Sequence, residues 1–119
     1  MGVNTFRKSE RLHSKKLIKE LFEKGSSFYL HPFKVYFLDS TSEYQSHQVL
    51  FSVPKRNFKK AVDRNLIKRR LREAYRLNKG MIEKINPKLI AYIYTHKTIL
   101  NYQDIEVKLK ESFGRFPDK

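Results

Sequence analysis

Residues 55–79, KRNFKKAVDRNLIKRRLREAYRLNK, decide how the rest of the chain is arranged. Eleven of these 25 residues are Lys or Arg and only Asp63 and Glu73 are acidic, a surplus of nine charges within a chain of net +14. The charge is patterned. With Val62 at 0° and about 100° per residue, Ile67, Leu71, Ala74 and Tyr75 fall between about 120° and 220°. On the same wheel Arg64, Asn65, Lys68, Arg69, Arg72 and Arg76 fall between about 200° and 340°. One side of this helix calls for a core and the adjoining side for something negative. A merely solvated basic helix is the plain alternative, but acids at i,i+4 that would relieve its like-charge repulsion are nearly absent. Such repulsion is offset by a polyanionic partner, so the pattern points to nucleic acid.

Upstream of the helix, Gln48–Val53 reads as a strand, with Val49, Phe51 and Val53 on one face and Leu50 and Ser52 on the other. Pro54 closes it by removing a donor. The preceding stretch 39–47 (DSTSEYQSH) is a polar loop, and Phe33–Leu38 alternates. Phe33, Val35 and Phe37 are core material. Lys34, Tyr36 and Leu38 make an opposite face suited to stacking and hydrogen bonding with RNA. Ser26–Leu30 is a further short strand ended by His31-Pro32. A first helix is expected over Lys15–Lys24, capped by Ser14 and stopped by Gly25, with Leu17, Ile18, Leu21 and Phe22 on its apolar side. Residues 1–13 are basic, polar and expected to be extended and flexible.

Downstream, Gly80 is the expected stop of the basic helix, with MIEKI (81–85) adding a further turn before Asn86-Pro87. Lys88–Thr95 (KLIAYIYT) is the most apolar strand and so the central one. Asn101 with Asp104 has the spacing of a capping box, opening a last helix on Tyr102, Ile105, Leu109 and Phe113. The tail from 114 to 119 is expected to fray. The order is α-β-β-β-α-β-α: one α/β domain over 1–119, an α+β sandwich on a single small sheet.

Composition narrows the class. At 39% hydrophobic and 13% aromatic residues, the chain can build a core. It has no Cys, which fits a reducing compartment. No apolar run is long enough for a membrane span or a secretory signal, so the expected location is cytoplasmic. His13, His31, His47 and His96 lack metal-ligand spacing and the acids are scattered. No protein-borne metal or catalytic site is expected.

Residues Ser52-Val53-Pro54-Lys55-Arg56, Ala61-Val62, Arg64-Asn65, Ile67-Lys68-Arg69, Arg72-Glu73 and Tyr75 together resemble the signature of the bacterial ribonuclease P protein subunit. The resemblance extends over nearly the whole chain through Arg11-Leu12, Phe22, the glycine ending the first helix, the Tyr36 strand and the final strand–helix pair. It implies a mixed sheet with an unusual left-handed βαβ crossover, similar to the second domain of one small-ribosomal-subunit protein. It implies an endoribonuclease that matures the tRNA 5′ end as a holoenzyme, with the chemistry and most of the Mg2+ carried by a catalytic RNA. The protein's partners would be that ribonuclease P RNA and the single-stranded 5′ leader of precursor tRNA, with no DNA or membrane. It would bind the leader and lower the magnesium requirement.

Carried over position by position, Arg56, Arg64, Asn65, Lys68, Arg69, Arg72 and Arg76 would contact RNA. Phe22, Tyr36, Lys34 and Ile18 would line a leader cleft between the first helix and the exposed sheet face. Four cations at Arg64, Lys68, Arg72 and Arg76 would give a log–log salt slope of about −3. The sequence departs from the pattern in three places, at Leu66, at Arg70, where many relatives are apolar, and at Ile18. Leu66 stands where the motif has its second Arg, and Arg70 is expected to supply that charge from the neighbouring side. Ile18 stands where an aromatic is common, leaving apolar contact only. A ribosomal-type basic RNA-binding protein and a membrane-surface amphipathic helix are the alternatives from other classes.

Overall fold

The computed structural model describes residues 6–40 and 46–117. Three helices enclose a four-stranded sheet. The elements are α1 (Lys15–Lys24), β1 (Ser26–Leu30), β2 (Phe33–Asp39), β3 (Gln48–Ser52), α2 (Ala61–Asn78), β4 (Lys88–Tyr94) and α3 (Tyr102–Phe113), with 3-10 turns at Lys8–Glu10 and Lys79–Ile82. The strands lie in the order β1-β2-β4-β3. β1, β2 and β4 pair antiparallel, whereas β3 and β4 pair parallel through the α2 crossover. The apolar strand KLIAYIY is therefore internal, as its hydrophobicity requires.

Each sheet face has its own core. Phe33, Val35, Val49, Phe51, Ile90, Tyr92 and Tyr94 meet Ile67, Leu71, Ala74 and Tyr75 of α2 and Ile105, Leu109 and Phe113 of α3. On the other face α1 buries Leu21 against Leu89, Ala91 and Leu12, with Leu17, Ile18, Tyr36, Leu38 and Leu50 at its edge. The sequence places a leader cleft on this face, between the first helix and exposed sheet. α1 covers the Leu38–Leu89 end of the face and leaves open the end carrying Lys34, Ser52 and Ile93, which are cross-strand neighbours.

Local signals explain most boundaries. Ser14 Oγ accepts from the Leu17 amide and Asn101 Oδ1 from the Asp104 amide, so both N-caps form, but Asp104 does not return the bond that would complete the expected capping box. Gly25 ends α1 because nothing larger fits: a Cβ there would lie 2.4 Å from Leu21 O and 2.9 Å from Phe37 O. Gly80 plays no such part. α2 ends at Asn78 and runs on into the 3-10 turn, where a side chain at position 80 would meet nothing within 4 Å.

Both ends of the chain depart from expectation. Residues 6–12 are packed rather than extended in solvent. Phe6 lies with its ring centroid 6.0 Å from Phe51 and 5.6 Å from Tyr75. Glu10 accepts from Lys79 Nζ at 2.8 and 3.0 Å, and the Leu12 amide donates to Val49 O. The segment thus lies beside β3, whose edge would otherwise be open to solvent. After α3, Phe116 is buried against Phe28, Phe37 and Phe113, so the expected frayed tail is held at least that far. Residues 1–5 of the expected flexible start, 41–45 of the loop and 118–119 of the tail lie outside the described residues.

Candidate nucleic-acid interface

Helix α2 separates its two chemistries by angle. Ile67, Leu71 and Ala74 are fully buried and Tyr75 nearly so, and these clamp the helix to the sheet. Asn65, Arg69 and Arg72 are exposed and Lys68 is half-buried on the adjoining side. Together with exposed Arg56, these four have no hydrogen-bond or ion-pair partner among the described residues. Their donors face outward.

The other two predicted members of the row are engaged. Arg64 is half-buried, and its Nη1 donates to Phe58 O at 2.7 Å and Lys59 O at 2.9 Å. Arg76 donates from Nε and Nη2 to the Glu73 carboxylate at 3.1 and 2.8 Å. That fork holds the Glu73 carboxyl below its ordinary range and raises the Arg76 guanidinium. Arg70, expected to supply the charge missing at Leu66, has one of its donors engaged within the fold. Half-buried on the α3 side of α2, it donates from Nη1 to Leu100 O at 2.6 Å and ties the helix to the loop before α3.

The second predicted surface lies on the opposite face of the sheet. The rings of Phe22 and Tyr36 meet edge to face with centroids 4.7 Å apart, and Lys34 Nζ sits 5.3 Å from the Tyr36 ring centre. Phe22 is 39% exposed, which removes it from the core role its helical spacing allows. Ile18 is half-buried, packs like Tyr36 against the cluster around Leu21, and supplies only apolar area. An aromatic pair with a cation over one ring offers a base both stacking area and charge.

Sequence reasoning missed a groove of about 440 Å3 beyond the open end of this face. Pro54, Arg56, Asn57, Ile93, Thr95 and Lys97 line it. Arg56 therefore stands between the two surfaces. Lys97 gives no sequence signal, because THKTIL (95–100) has no period of either kind; only the parallel pairing of β3 with β4 brings it near Arg56.

Among the described residues no three His, Asp or Glu side chains gather in a group able to hold a metal ion. No helix there is long and apolar enough to cross a membrane. The buried tyrosines serve packing: burial pushes the Tyr75 and Tyr92 phenols up, and Tyr92 hydrogen-bonds Ser112 at 2.6 Å.

Comparison with known proteins places this geometry. The family model for ribonuclease P matches residues 6–116. The ribonuclease P protein component of Porphyromonas gingivalis is 33% identical over 114 residues, covering 91% of this chain and 83% of the relative. That of a Geobacter species is 34% identical over 119 residues, covering 100% and 98%. The solved ribonuclease P protein of Thermotoga maritima aligns with a TM-score of 0.77 at 26% identity, over 91% of this chain and 98% of that one. The Staphylococcus aureus protein gives 0.76 at 25% identity, over 89% and 94%.

Proposed function

The chain belongs to the ribonuclease P protein family, and on that premise we propose that it binds the catalytic RNA through α2 and the precursor tRNA leader through the open sheet face. The observation that carries this reading is the row Arg56, Asn65, Lys68, Arg69 and Arg72, unpartnered among the described residues and backed by the buried side of α2. The helix spans 18 residues, about 27 Å, and so presents its cations at fixed spacing to successive phosphates. Asn65 alone in the row both donates and accepts, which suits a base or ribose edge rather than a phosphate. Phe22, Tyr36 and Lys34, with Ile18 adding apolar area on the same face, offer one or two unpaired leader bases a stacking platform.

In this reading the protein does no bond chemistry. It orients the leader and neutralises phosphate repulsion between the two RNAs, and so lowers the magnesium concentration that cleavage requires. Among the described residues no three His, Asp or Glu side chains gather to hold an ion, and in this reading the magnesium is bound mainly by RNA phosphates. The working compartment is the cytoplasm.

Reconstitution tests the reading. Ribonuclease P RNA transcribed in vitro is assayed on precursor tRNA at low magnesium, with and without the protein. Added protein should raise the cleavage rate at low magnesium and have little effect at high magnesium. Equal rates with and without protein at every magnesium concentration would remove the proposal.

A further inference from the structure

We propose that Arg64, resting on the RNA-binding reading above, is a positioning residue: it fixes the basic loop 55–60 against α2 instead of contacting a phosphate itself. Three observations converge on it. First, one guanidinium nitrogen, Nη1, reaches both Phe58 O at 2.7 Å and Lys59 O at 2.9 Å, two carbonyls of the loop before the helix. Second, Lys60 at the N-cap position offers no side-chain cap, so the usual device for holding a helix entry is missing. Third, Arg64 lies at about 200° on the helical wheel, inside the apolar arc, whereas Asn65, Arg69 and Arg72 lie between about 280° and 340°. Its side chain is half-buried where theirs are exposed.

The loop it holds carries Lys55, Arg56, Lys59 and Lys60, all exposed, with no acid between them. Left alone, four like charges in six residues would spread the loop. Phe58 pins its underside, 7% exposed and with its ring 5.9 Å from Tyr94. The Asn57 amide closes a turn onto Pro54 O at 3.2 Å. The Arg64 bonds complete the set by fixing the direction of the Phe58 and Lys59 carbonyls. Arg56 is thereby held in line with Lys68, Arg69 and Arg72, and the loop and helix act as one binding surface. Lysine is a poor substitute, because its ammonium ends a shorter side chain and falls short of the point where Nη1 meets both carbonyls.

Arg64→Lys and Arg64→Gln separate positioning from charge. Amide hydrogen exchange is measured in the free protein over the segment 57–64, at Asn57, which donates to Pro54 O, and at Asp63 and position 64, which donate to Lys60 O, and affinity with its salt slope is measured on ribonuclease P RNA. Positioning requires that both variants speed exchange in that segment about tenfold and weaken RNA binding alike, about tenfold. Exchange unchanged from wild type in both variants overturns the proposal. So does a lysine variant that binds as wild type while the glutamine variant loses about 0.9 of the salt slope, the mark of one direct phosphate contact. Wild-type protein that fails to bind the RNA at all would sink the function proposed above, while the exchange measurement on the free protein would still decide the role of Arg64.

Discussion

Tyr36 concentrates what a single residue contributes here. Strand alternation already separated it from Phe33, Val35 and Phe37. The structure adds the Phe22 ring at 4.7 Å and the Lys34 ammonium at 5.3 Å. Base stacking contributes about 1–3 kcal/mol per base, so Tyr36→Ala should weaken holoenzyme binding of precursor tRNA by that amount and leave mature tRNA unchanged. Equal loss for both substrates in filter binding would reject the leader role. His47 makes a different kind of claim. Its Nδ1 accepts from the Lys88 amide at 3.0 Å, which leaves Nε2 to donate to Ile82 O at 2.7 Å, so the ring is held neutral. Burial depresses its pKa first; the Ile82 carbonyl opposes that, the Lys88 charge adds to it and Glu10 opposes it. The unfolded chain, near the ordinary 6.5, then binds more protons than the folded one, and stability falls as pH drops below that value. Urea unfolding should give a lower free energy at about pH 5.5 than at about pH 7.5, and His47→Asn should flatten the difference; identical curves for wild type and variant would contradict it. The place of Tyr36 was legible in the sequence, whereas the contacts of His47 and Arg64 were not. The partners of His47 stand 35 and 41 residues away, and the two carbonyls that Arg64 reaches are backbone atoms that no side-chain pattern encodes.

At the scale of elements the sequence spoke clearly wherever a period was long enough to hear. α1, α2, α3 and all four strands form within a residue or two of where spacing and caps put them. The failures share a cause. Lys8–Glu10 is a single 3-10 turn, too short for any period, and its apolar neighbours Phe6 and Leu12 are isolated in a basic stretch. Phe116 is likewise one aromatic beyond a helix stop. Each is buried by what the fold has already built beside it. The N-terminal segment is fastened at its middle by Glu10, which accepts from Lys79 and also from the Arg7 amide at 3.0 Å. Both charged side chains are largely buried, at 11% and 19% exposure. Glu10→Gln should therefore destabilise the protein by about 1–3 kcal/mol, since it leaves the Lys79 ammonium against a neutral partner. Exchange protection should also fall at the Leu12 amide, which pairs with Val49 O. A stability change within about 0.5 kcal/mol would mean that the phenylalanine packing alone holds the segment.

For the molecule as a whole, the net charge sets two salt dependences of opposite sign. The chain packs +14 into a body of 37 × 32 × 25 Å. At about 20 mM salt the Debye length is about 20 Å, so most of those charges feel one another; at about 300 mM it is about 6 Å and few do. Self-repulsion opposes the compact state, so added salt stabilises the free protein. The melting temperature should rise by about 4 °C over that range, the equivalent of about 1 kcal/mol. RNA binding runs the other way. With Arg64 held by carbonyls and Arg76 by Glu73, the outward cations of the row are Arg56, Lys68, Arg69 and Arg72. Four phosphate contacts give a log–log slope of about −3, or a loss of three to four decades in affinity, roughly, over the same salt range. The two curves are measured on one protein in one buffer series, by thermal unfolding alone and by titration with ribonuclease P RNA. A melting temperature that falls with salt would show that internal ion pairs outweigh the repulsion. An affinity indifferent to salt would show that the basic row is a solvated face after all, and the likeness of this chain to its relatives would then extend to the fold without reaching the partner.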